Sequence, residues 1–283
     1  MKRFAMLALA LVLACVCVTG LADTLRVGME CNYAPYNWTQ SEPSDEAVAI
    51  AAGGYADGYD VRIAKRIAQE LGMDLEIVKT EWDGLTPALL SGNIDVIIAG
   101  MSPTEERKLT IDFTDAYYVT ELCVVVRKDS KFASAQSLAD FGGAKITGQM
   151  STFHYDEIDQ IPGVVKMPAQ DTFPTMIVAV SSGAIDGYIA DRPGAVSATA
   201  SNPDLTFVTF EAGQGFEIAP EDAEIAVGIR QGSELKEKIN AILAAISDDE
   251  RNAIMDAAVA AQRVRTKDMK RTAGVFPAAL SAL

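Results

Sequence analysis

The stretch "SGNIDVIIA" at residues 91–99 decides the fold, because the chain repeats it as "SGAIDGYIA" at residues 182–190. Six of the nine positions are identical: the opening Ser-Gly, the Ile-Asp pair and the closing Ile-Ala. Each copy follows an apolar segment and is soon followed by a proline. The apolar second half of the first copy is typical of a buried strand. The repeat therefore predicts two lobes of similar build.

Strands and helices alternate around the first copy. Residues 25–29 alternate apolar and polar side chains, which is typical of a strand, and residues 61–71 carry an apolar helical stripe that ends at Gly72. Two further strands, at 75–78 and 94–99, flank a helix at 85–90. This order predicts an α/β fold with parallel sheets. Ligands bind at the carboxyl ends of such strands, so two facing edges would form a cleft.

The lobe boundaries follow from the repeat. The chain is predicted to cross between lobes near Tyr117–Glu121 and again near Phe210–Gly215, and two crossings make a hinge. The acidic, Ala/Gly-rich segment 39–57 has no clear period and reads as a long loop. The predicted segments are a signal peptide (1–22), the first part of lobe 1 (23–118), lobe 2 (119–210), and the return to lobe 1 with C-terminal helices (211–283).

The first residues have the pattern of an export signal. Lys2 and Arg3 precede an apolar run, and Gly20-Leu21-Ala22 is a small-x-small cleavage site. The run is shorter than the ~20 residues that span a bilayer. A second route stays open, because residues 12–15 loosely resemble a lipoprotein signal in which Cys15 would be acylated. The pattern favours ordinary cleavage, and either route predicts a periplasmic or cell-surface protein.

The charge balance excludes one class of partner. The chain has a net charge of −15, and removal of residues 1–22 takes away two positive charges and no acids, which gives −15 − 2 = −17. Such a surface repels phosphate backbones, so nucleic acid is not an expected partner. Cys31 and Cys123 remain after cleavage; an oxidising compartment permits a disulfide, but the sequence does not show whether they join. These cysteines and the single histidine, His154, have no metal-ligand spacing, so no metal or cofactor is predicted.

The residues after the first copy predict a binding site for a carboxylate. Ser102 begins the pattern Ser-Pro-Thr-Glu, a capping box with proline at the first helical position. The start of a helix attracts anions, and the small residues Ala99 and Gly100 let a ligand approach the backbone. Arg107 can add a two-pronged contact to the same carboxylate. The alternative is an ordinary capped helix in which Arg107 pairs with an acid in solvent.

Aromatic and acidic residues near two strand ends complete the first half of the predicted site. Trp82 and Tyr33 are interpreted as walls of the pocket, although Trp82 could equally belong to the core. Glu30 ends the first strand at the edge that faces the cleft. It is either a solvated strand end or the partner of a polar or cationic ligand group.

The second copy of the repeat supplies the opposite charge. Asp191 takes the place of Gly100 directly after the closing Ile-Ala, where an acid could receive an ammonium group. Two other interpretations are open: Asp191 pairs with Arg192, or it caps the helix that follows. Thr152 would add a hydroxyl and an N–H donor from lobe 2, and either Ser151 or Thr152 can also be a plain N-cap.

Several longer segments resemble the bacterial extracellular solute-binding proteins of family 3, the receptors of polar amino-acid ABC transporters. The resemblance covers essentially the whole mature chain. It implies two lobes, joined by two crossover strands, that close over an amino acid. It is carried by "CNYAPYNW" (31–38), "GYDVRIAKRIAQELG" (58–72), "WDGLTPALLSGNIDVIIAGMSPTEER" (82–107), "IDFTDAYY" (111–118) and "GAIDGYIADRP" (183–193).

The resemblance implies roles for the charged groups at both ends of an amino acid. Arg107, Ser102 and Thr152 match positions that hold the ligand α-carboxylate, and Asp191 matches the acid that holds the α-ammonium. Met150 stands where the family usually has glycine, which is a departure from the family pattern in this loop.

The remaining matches concern the ligand backbone and side chain. Ala99 and Gly100 match positions that contribute mainly backbone contacts, and Tyr33 and Trp82 match the aromatic walls. Glu30 matches an acid that often meets the ligand side chain. The segment 39–57 is unusually long for the family.

The sequence therefore predicts a non-catalytic, monomeric receptor that presents a free amino acid to a membrane permease. An acid between two aromatic walls favours a cationic ligand, arginine or lysine, through charge pairing and cation–π contact. Glutamine or another polar amino acid is an alternative. A further alternative is an enzyme similar to cyclohexadienyl dehydratase on the same fold, for which Glu30 or His154 would be the general acid.

Overall fold

The computed structural model describes the backbone of residues 23–273 and the side chains of residues 23–262. The predicted signal peptide (1–22) and the alternative acylation site at Cys15 lie outside the described residues. In chain order the strands are β1 (Thr24–Met29), β2 (Asn32–Tyr33), β3 (Asn37–Gln40), β4 (Val48–Ala49), β5 (Tyr55–Asp57), β6 (Asp74–Lys79), β7 (Val96–Ile97), β8 (Asp112–Val119), β9 (Leu122–Arg127), β10 (Lys145–Thr147), β11 (Val165–Lys166), β12 (Gly187–Asp191), β13 (Leu205–Val208) and β14 (Glu224–Ile229).

The helices alternate with these strands as the sequence predicts. The α-helices are α1 (Tyr59–Leu71), α2 (Leu85–Leu90), α3 (Glu105–Lys108), α4 (Phe153–Asp156), α5 (Phe173–Ser181), α6 (Arg192–Ser201), α7 (Leu235–Ala244) and α8 (Asp248–Ala273). Short 3₁₀ turns lie at Trp82–Gly84, Lys131–Ser134, Leu138–Phe141, Glu157–Gln160 and Pro220–Ala223.

Two five-stranded sheets have the same arrangement of strand directions. The first has the order β6-β1-β7-β14-β8, and the second has the order β11-β10-β12-β9-β13. In each, the first three strands are parallel and the other two are antiparallel to their neighbours. We call the part built on the first sheet lobe 1 and the part built on the second sheet lobe 2. The α/β, two-lobed fold class predicted from the sequence is confirmed.

The repeated nine residues occupy equivalent places in the two sheets. In each copy the aspartate accepts a hydrogen bond from a backbone N–H of the neighbouring parallel strand, Arg26 to Asp95 at 3.0 Å and Lys145 to Asp186 at 2.8 Å. The glycines of the two Ser-Gly pairs have φ angles of 79° and 77°. The strand at the first copy is shorter than the predicted 94–99, since β7 covers only Val96–Ile97. The repeat in sequence is therefore a repeat in structure.

The apolar pattern that predicts α1 is buried in the core. The stripe of α1 includes Val61, Ile63 and Ile67, all fully buried. The helix ends at Gly72, whose φ of 69° is the left-handed conformation typical of a glycine cap. Burial of these apolar side chains, rather than helix propensity, stabilises the helix on the sheet.

Segment 39–57 forms strands, and its prediction as a loop without secondary structure is wrong. The strands β2, β3, β5 and β4 make a third, four-stranded sheet. Trp38 and Ala56 from this sheet are buried in the core of lobe 1. Strands of two to four residues are too short to produce a detectable alternation, so the signal was absent from the sequence.

Two chain segments connect the lobes. The first lies between Val119, which ends β8, and Leu122, which begins β9. On the return, Phe210 and Phe216 still pack on the core of lobe 2. The backbone N–H of Thr120 donates to the carbonyl of Ala223 at 2.9 Å, so the two connections are hydrogen-bonded side by side. The return connection thus lies later than the predicted position at Phe210–Gly215, because two phenylalanines hold that segment on lobe 2.

Candidate ligand-binding site

The ends of parallel strands from both sheets meet at the cleft between the lobes. In lobe 1, β1 leads into Glu30 and β7 is followed by Ala99 and Gly100. In lobe 2, β12 ends on Asp191. All four residues are buried. This is the edge at which open α/β sheets bind ligands.

Ser102 does not cap a helix, and the predicted capping box is wrong. The helix begins at Glu105, and its cap is Thr104, whose side chain accepts the N–H of Arg107 at 3.3 Å. The hydroxyl of Ser102 donates instead to the carbonyl of Asp222 at 2.9 Å. Because Ser102 lies two residues further from the helix than the pattern requires, its hydroxyl anchors the return connection to the cleft.

Arg107 supplies the positive charge of the site. Its guanidinium donates to the carbonyls of Ser102 at 2.9 Å and Ser151 at 3.3 Å and lies 5.1 Å from the ring centre of Trp82. Burial lowers the pKa of Arg107 to about 10, so it stays charged at neutral pH. No carboxylate of the described residues forms an ion pair with it. The solvent-exposed acid pair that sequence left open as an alternative is therefore not formed.

Ser151 joins Arg107 to lobe 2. Its carbonyl accepts from Arg107 and also from the indole N–H of Trp82 at 3.1 Å. Ser151 has a φ of 57°, the left-handed region that glycine usually occupies, and neighbouring Met150 is 40% exposed. Trp82 thus contacts lobe 2 across the cleft while its partly buried ring also packs on the hydrophobic core.

Asp191 takes neither of the two alternative roles that its sequence left open. It precedes α6 but makes no side-chain cap, and Arg192 pairs with Glu121 at 2.8 Å. One oxygen of Asp191 accepts the hydroxyl of Tyr33, and the other lies 3.5 Å from Nε2 of His154. That second oxygen has no hydrogen-bond partner among the described residues. Asp191 is therefore a buried carboxylate with remaining capacity to accept a donor.

Tyr33 and His154 enclose Asp191 with aromatic surface. The ring of Tyr33 stacks on Phe173 with centroids 4.1 Å apart, and the ring of His154 stacks on Phe153 at 4.4 Å. Burial raises the pKa of Tyr33 well above its usual value, so its hydroxyl remains a neutral donor. Tyr33 thus contacts lobe 2 with both its ring and its hydroxyl.

Glu30 and Gln149 form a second contact between the lobes. The amide of Gln149 donates to one oxygen of Glu30 at 3.1 Å, while the other oxygen has no partner in the described part of the chain. Burial raises the pKa of Glu30 to about 7, and the hydrogen bond from Gln149 opposes this rise. The interpretation of Glu30 as a solvated strand end is wrong, because it is only 2% exposed.

Thr152 stands at the start of α4 but does not cap it with its side chain. Its hydroxyl donates to the carbonyl of Gln149 at 2.7 Å, which fixes the loop between β10 and α4. Its part as a plain side-chain N-cap is thereby excluded. The side-chain amide of the same glutamine donates to Glu30.

A small cavity lies between these groups. Its volume is about 10 Å³, room for about one water molecule. Its walls come from both lobes: Tyr33, Trp82, Gly100, Ser102, Arg107, Gln149, Thr152, Phe153 and His154. Tyr33 and His154, which line it, are also the two contacts of Asp191.

A wider opening of about 550 Å³ adjoins Arg107 and carries mainly negative charge. Burial raises the pKa of both Glu157 and Asp222, and repulsion from neighbouring carboxylates raises each pKa further. The carboxylates that line it are Glu105, Glu106, Asp156, Glu157, Glu221 and Asp222. An opening of this kind attracts cations.

Sequence reasoning missed several residues that the structure brings to the cleft. Gln149 and Phe173 gave no signal, because the role of an amide or a ring depends on the groups that face it, and Ser151 was noted only as a possible N-cap. His154 did carry a signal, since it is the single histidine of the chain, but it was interpreted only as a metal ligand without the required spacing or as a general acid. Cys31 and Cys123 are both buried and form no disulfide.

Residues 23–262 contain no group of three or more His, Cys, Asp or Glu side chains placed to hold a metal ion. Within the described part of the chain, no helix is long and apolar enough to span a bilayer.

Two α/β lobes whose strand ends meet at a cleft lined by groups of opposite charge define the class of two-lobed solute-binding proteins. The chain belongs to the bacterial extracellular solute-binding proteins, family 3, whose family profile matches residues 25–258. The resemblance noted from the sequence is thereby confirmed.

Its relatives are binding proteins. A probable histidine-binding protein of Campylobacter jejuni is 31% identical over 198 residues, 69% of this chain and 72% of that protein. The arginine-binding extracellular protein ArtP of Bacillus subtilis is 28% identical over 230 residues, 80% of this chain and 81% of ArtP. The solved structure of an ancestral arginine-binding protein bound to arginine has a TM-score of 0.68 and 31% identity, and the match covers 84% of this chain and 98% of that one.

Proposed function

We propose that this protein is the extracytoplasmic receptor of an amino-acid ABC transporter and that it binds a cationic amino acid, arginine or lysine. The observation that carries the proposal is the opposite charge of two cleft residues on opposite lobes, Arg107 and Asp191. A zwitterion has both groups needed to pair with them at once. Only such a ligand would stabilise the contact of the two lobes through both of its ends.

Arg107 would hold the α-carboxylate of the ligand, and Ser102 and Thr152 would lie beside that carboxylate. The small residues Ala99 and Gly100 would let the ligand approach the backbone. The guanidinium of Arg107 presents a planar pair of N–H groups that matches the geometry of the ligand carboxylate. Because α3 has only four residues, the charge of Arg107 rather than a helix terminus carries this attraction.

The positive groups of the ligand would be held by two buried carboxylates. Asp191 and Glu30 each have one oxygen without a hydrogen-bond donor among the described residues. A buried acceptor without a donor costs free energy, and an ammonium or guanidinium group would remove that cost. Asp191 would take the α-ammonium, and Glu30 would take the ligand side chain between Tyr33 and Trp82.

The choice of a cationic side chain has two further supports. The opening beside Arg107 is lined mainly by carboxylates, which would raise the local concentration of a cationic ligand. Relatives of this chain are named for arginine and for histidine. Neutral glutamine could also donate to Glu30, but it would gain nothing from the negative opening.

The remaining assignments follow from this role. We infer that residues 23–118 belong to lobe 1, that lobe 2 begins at residue 119 and includes the segment up to Phe216, and that the chain then returns to lobe 1, hinged at the two connections. The protein would be exported, cleaved after Ala22, and act as a periplasmic or cell-surface monomer that delivers its ligand to a membrane permease. It would have no catalytic residue. The intact mass of the exported form distinguishes cleavage after Ala22 from acylation of Cys15.

The test is a thermal-shift screen of purified residues 23–283 against the common amino acids, followed by calorimetry on the best ligand. Arginine or lysine is expected to give the largest shift. Arg107→Ala should abolish it, while Arg192→Ala, which removes an exposed arginine paired with Glu121, should leave it unchanged. Unaltered binding by Arg107→Ala, or consumption of prephenate or arogenate by the wild type, would contradict the proposal.

A further inference from the structure

Asp60 is a fully buried carboxylate that lies outside the cleft cavity. It is the second residue of α1, and its two oxygens are used by two side chains. The amide of Asn37 donates to one oxygen at 2.7 Å, and the hydroxyl of Tyr117 donates to the other at 2.7 Å. Each of these two donors in turn fixes the backbone at the end of a different strand.

Tyr117 connects Asp60 to the loop after β7. Its hydroxyl accepts the backbone N–H of Gly100 at 3.2 Å. Gly100 has a φ of 62° and lines the cleft cavity. The bond therefore holds the segment Ala99–Ser102 in the conformation that brings its backbone to the cleft.

Asn37 connects Asp60 to the loop after β1. Its side-chain oxygen accepts the backbone N–H of Cys31 at 2.6 Å. Cys31 has a φ of 58°, a conformation that residues other than glycine rarely adopt and that needs support from its surroundings. Since Cys31 directly follows Glu30, this bond fixes the direction in which the Glu30 side chain leaves the strand.

We propose that Asp60 is a positioning residue for the ligand site. Through Asn37 and Tyr117 it holds the loop at Glu30 and the loop at Gly100 in a fixed position relative to each other. β1 and β7 are neighbours in the sheet, so one carboxylate between their loops sets the distance between the two halves of the lobe 1 site. The proposal rests on the proposed function, because it names what keeps that site in shape.

A carboxylate is required at this position because both of its partners are donors. Asparagine at position 60 would turn its NH₂ group either to the Asn37 amide, which would lose its acceptor, or to the Tyr117 hydroxyl, which would have to reverse from donor to acceptor and give up its bond to a charged group. Burial raises the pKa of Asp60 to about 6 against the opposing hydrogen bonds from Tyr117, Asn37 and the backbone N–H of Gly100. The group is therefore an anion at neutral pH and above, as two incoming donors require.

The first test compares two tyrosines that each lose one buried hydroxyl. Tyr117→Phe removes the link to Gly100, whereas Tyr59→Phe removes a bond of 2.8 Å to the carbonyl of Tyr117 and touches neither loop. Both variants are expected to lose similar stability in urea. Only Tyr117→Phe should lower the affinity for L-arginine, by about tenfold in calorimetry, which corresponds to ~1.4 kcal/mol. Equal affinities of the two variants would overturn the proposal.

The second test needs no ligand, so it separates failure of this inference from failure of the proposed function. Amide hydrogen exchange at Cys31 and Gly100 should become at least about tenfold faster in Asp60→Asn, and at Gly100 alone in Tyr117→Phe. In a separate measurement with L-arginine, the affinity losses of Asp60→Asn and Tyr117→Phe should be less than additive in the double variant, since both act on one network. Unchanged exchange at both amides would refute the role of Asp60, whereas changed exchange with no arginine binding by the wild type would refute only the proposed ligand. Should Asp60→Asn not fold, Tyr117→Phe alone decides the outcome.

Discussion

The hydroxyl of Tyr33 in lobe 1 donates a hydrogen bond to the carboxylate of Asp191 in lobe 2, across 158 positions of the chain. The same carboxylate is the group that the sequence pattern selects as the acceptor of a ligand ammonium. One oxygen is bonded to Tyr33, and the other has no donor in the described part of the chain. The geometry therefore allows Tyr33 and an ammonium group to bind Asp191 together.

Tyr33→Phe is expected to weaken ligand binding moderately. The stacking of the ring on Phe173 would remain, but one hydrogen bond to a buried charge between the lobes would be lost. Such a bond is worth about 1.5–3 kcal/mol, so the affinity for arginine should fall by roughly tenfold or more. Calorimetry measures this directly. A gain in affinity would show instead that the Tyr33 hydroxyl competes with the ligand for Asp191.

Asp191→Asn should have a larger effect, because it removes the charge that pairs with the ammonium. A loss of about 100-fold or more is expected for a buried charge pair. The matched control is Asp204→Asn, which neutralises an exposed aspartate of the same lobe and should bind like the wild type. The desamino analogue of arginine should bind the wild type weakly, and it should lose much less affinity than arginine does on going to Asp191→Asn. Equal losses for both ligands would show that Asp191 does not meet the ammonium.

Gly100→Ala should abolish binding, whereas Gly92→Ala should not. Both glycines have left-handed φ angles, of 62° and 79°, so both variants should lose about 1–2 kcal/mol of stability through backbone strain. A Cβ at position 100 would lie 3.0 Å from the ring of Tyr33, whereas a Cβ at position 92 would have no atom within 4 Å. Chemical denaturation and calorimetry on the pair separate strain from the contact. Retained binding by Gly100→Ala would remove this backbone segment from the site.

The sequence predicted those parts of the fold and site that depend on local patterns. The copies at 91–99 and 182–190 predicted two similar sheets, and the aspartate of each copy makes the same bond in both. Arg107 and Glu30 were placed at the cleft by their positions after predicted strands.

What the sequence could not predict depends on partners from distant parts of the chain. Ser102 fits a capping box, yet the carbonyl of Asp222 takes its hydroxyl because the return connection passes beside it. Gln149 becomes significant only because Glu30 faces it from the other lobe. The small sheet of segment 39–57 has strands too short for their alternation to be recognised.

The stability of the protein without ligand should fall as the pH rises from about 4.5 to about 7. Glu30 has a pKa of about 7 in the folded protein and 4.5 as its ordinary value, so the folded state binds more protons in this window. The raised pKa of Asp60, about 6, acts in the same direction. Urea denaturation at pH 5.5 and pH 7.5 should show that Glu30→Gln reduces the pH dependence and is the more stable protein at pH 7.5, by an amount on the order of 2 kcal/mol. An unchanged pH dependence in Glu30→Gln would mean that Glu30 titrates near its ordinary pKa.

Binding of arginine should release a proton from Glu30. In the free protein Glu30 is about half protonated near pH 7, since burial raises its pKa to about 7. A guanidinium group beside it would favour the carboxylate and lower that pKa, so affinity should increase between pH 5.5 and 7.5. Calorimetry in phosphate and in imidazole, which differ in ionisation enthalpy, would count the protons released. Glu30→Gln should release fewer protons and should lose more affinity for arginine than for glutamine. Binding heats that do not depend on the buffer would show that the ligand side chain does not reach Glu30 as a cation.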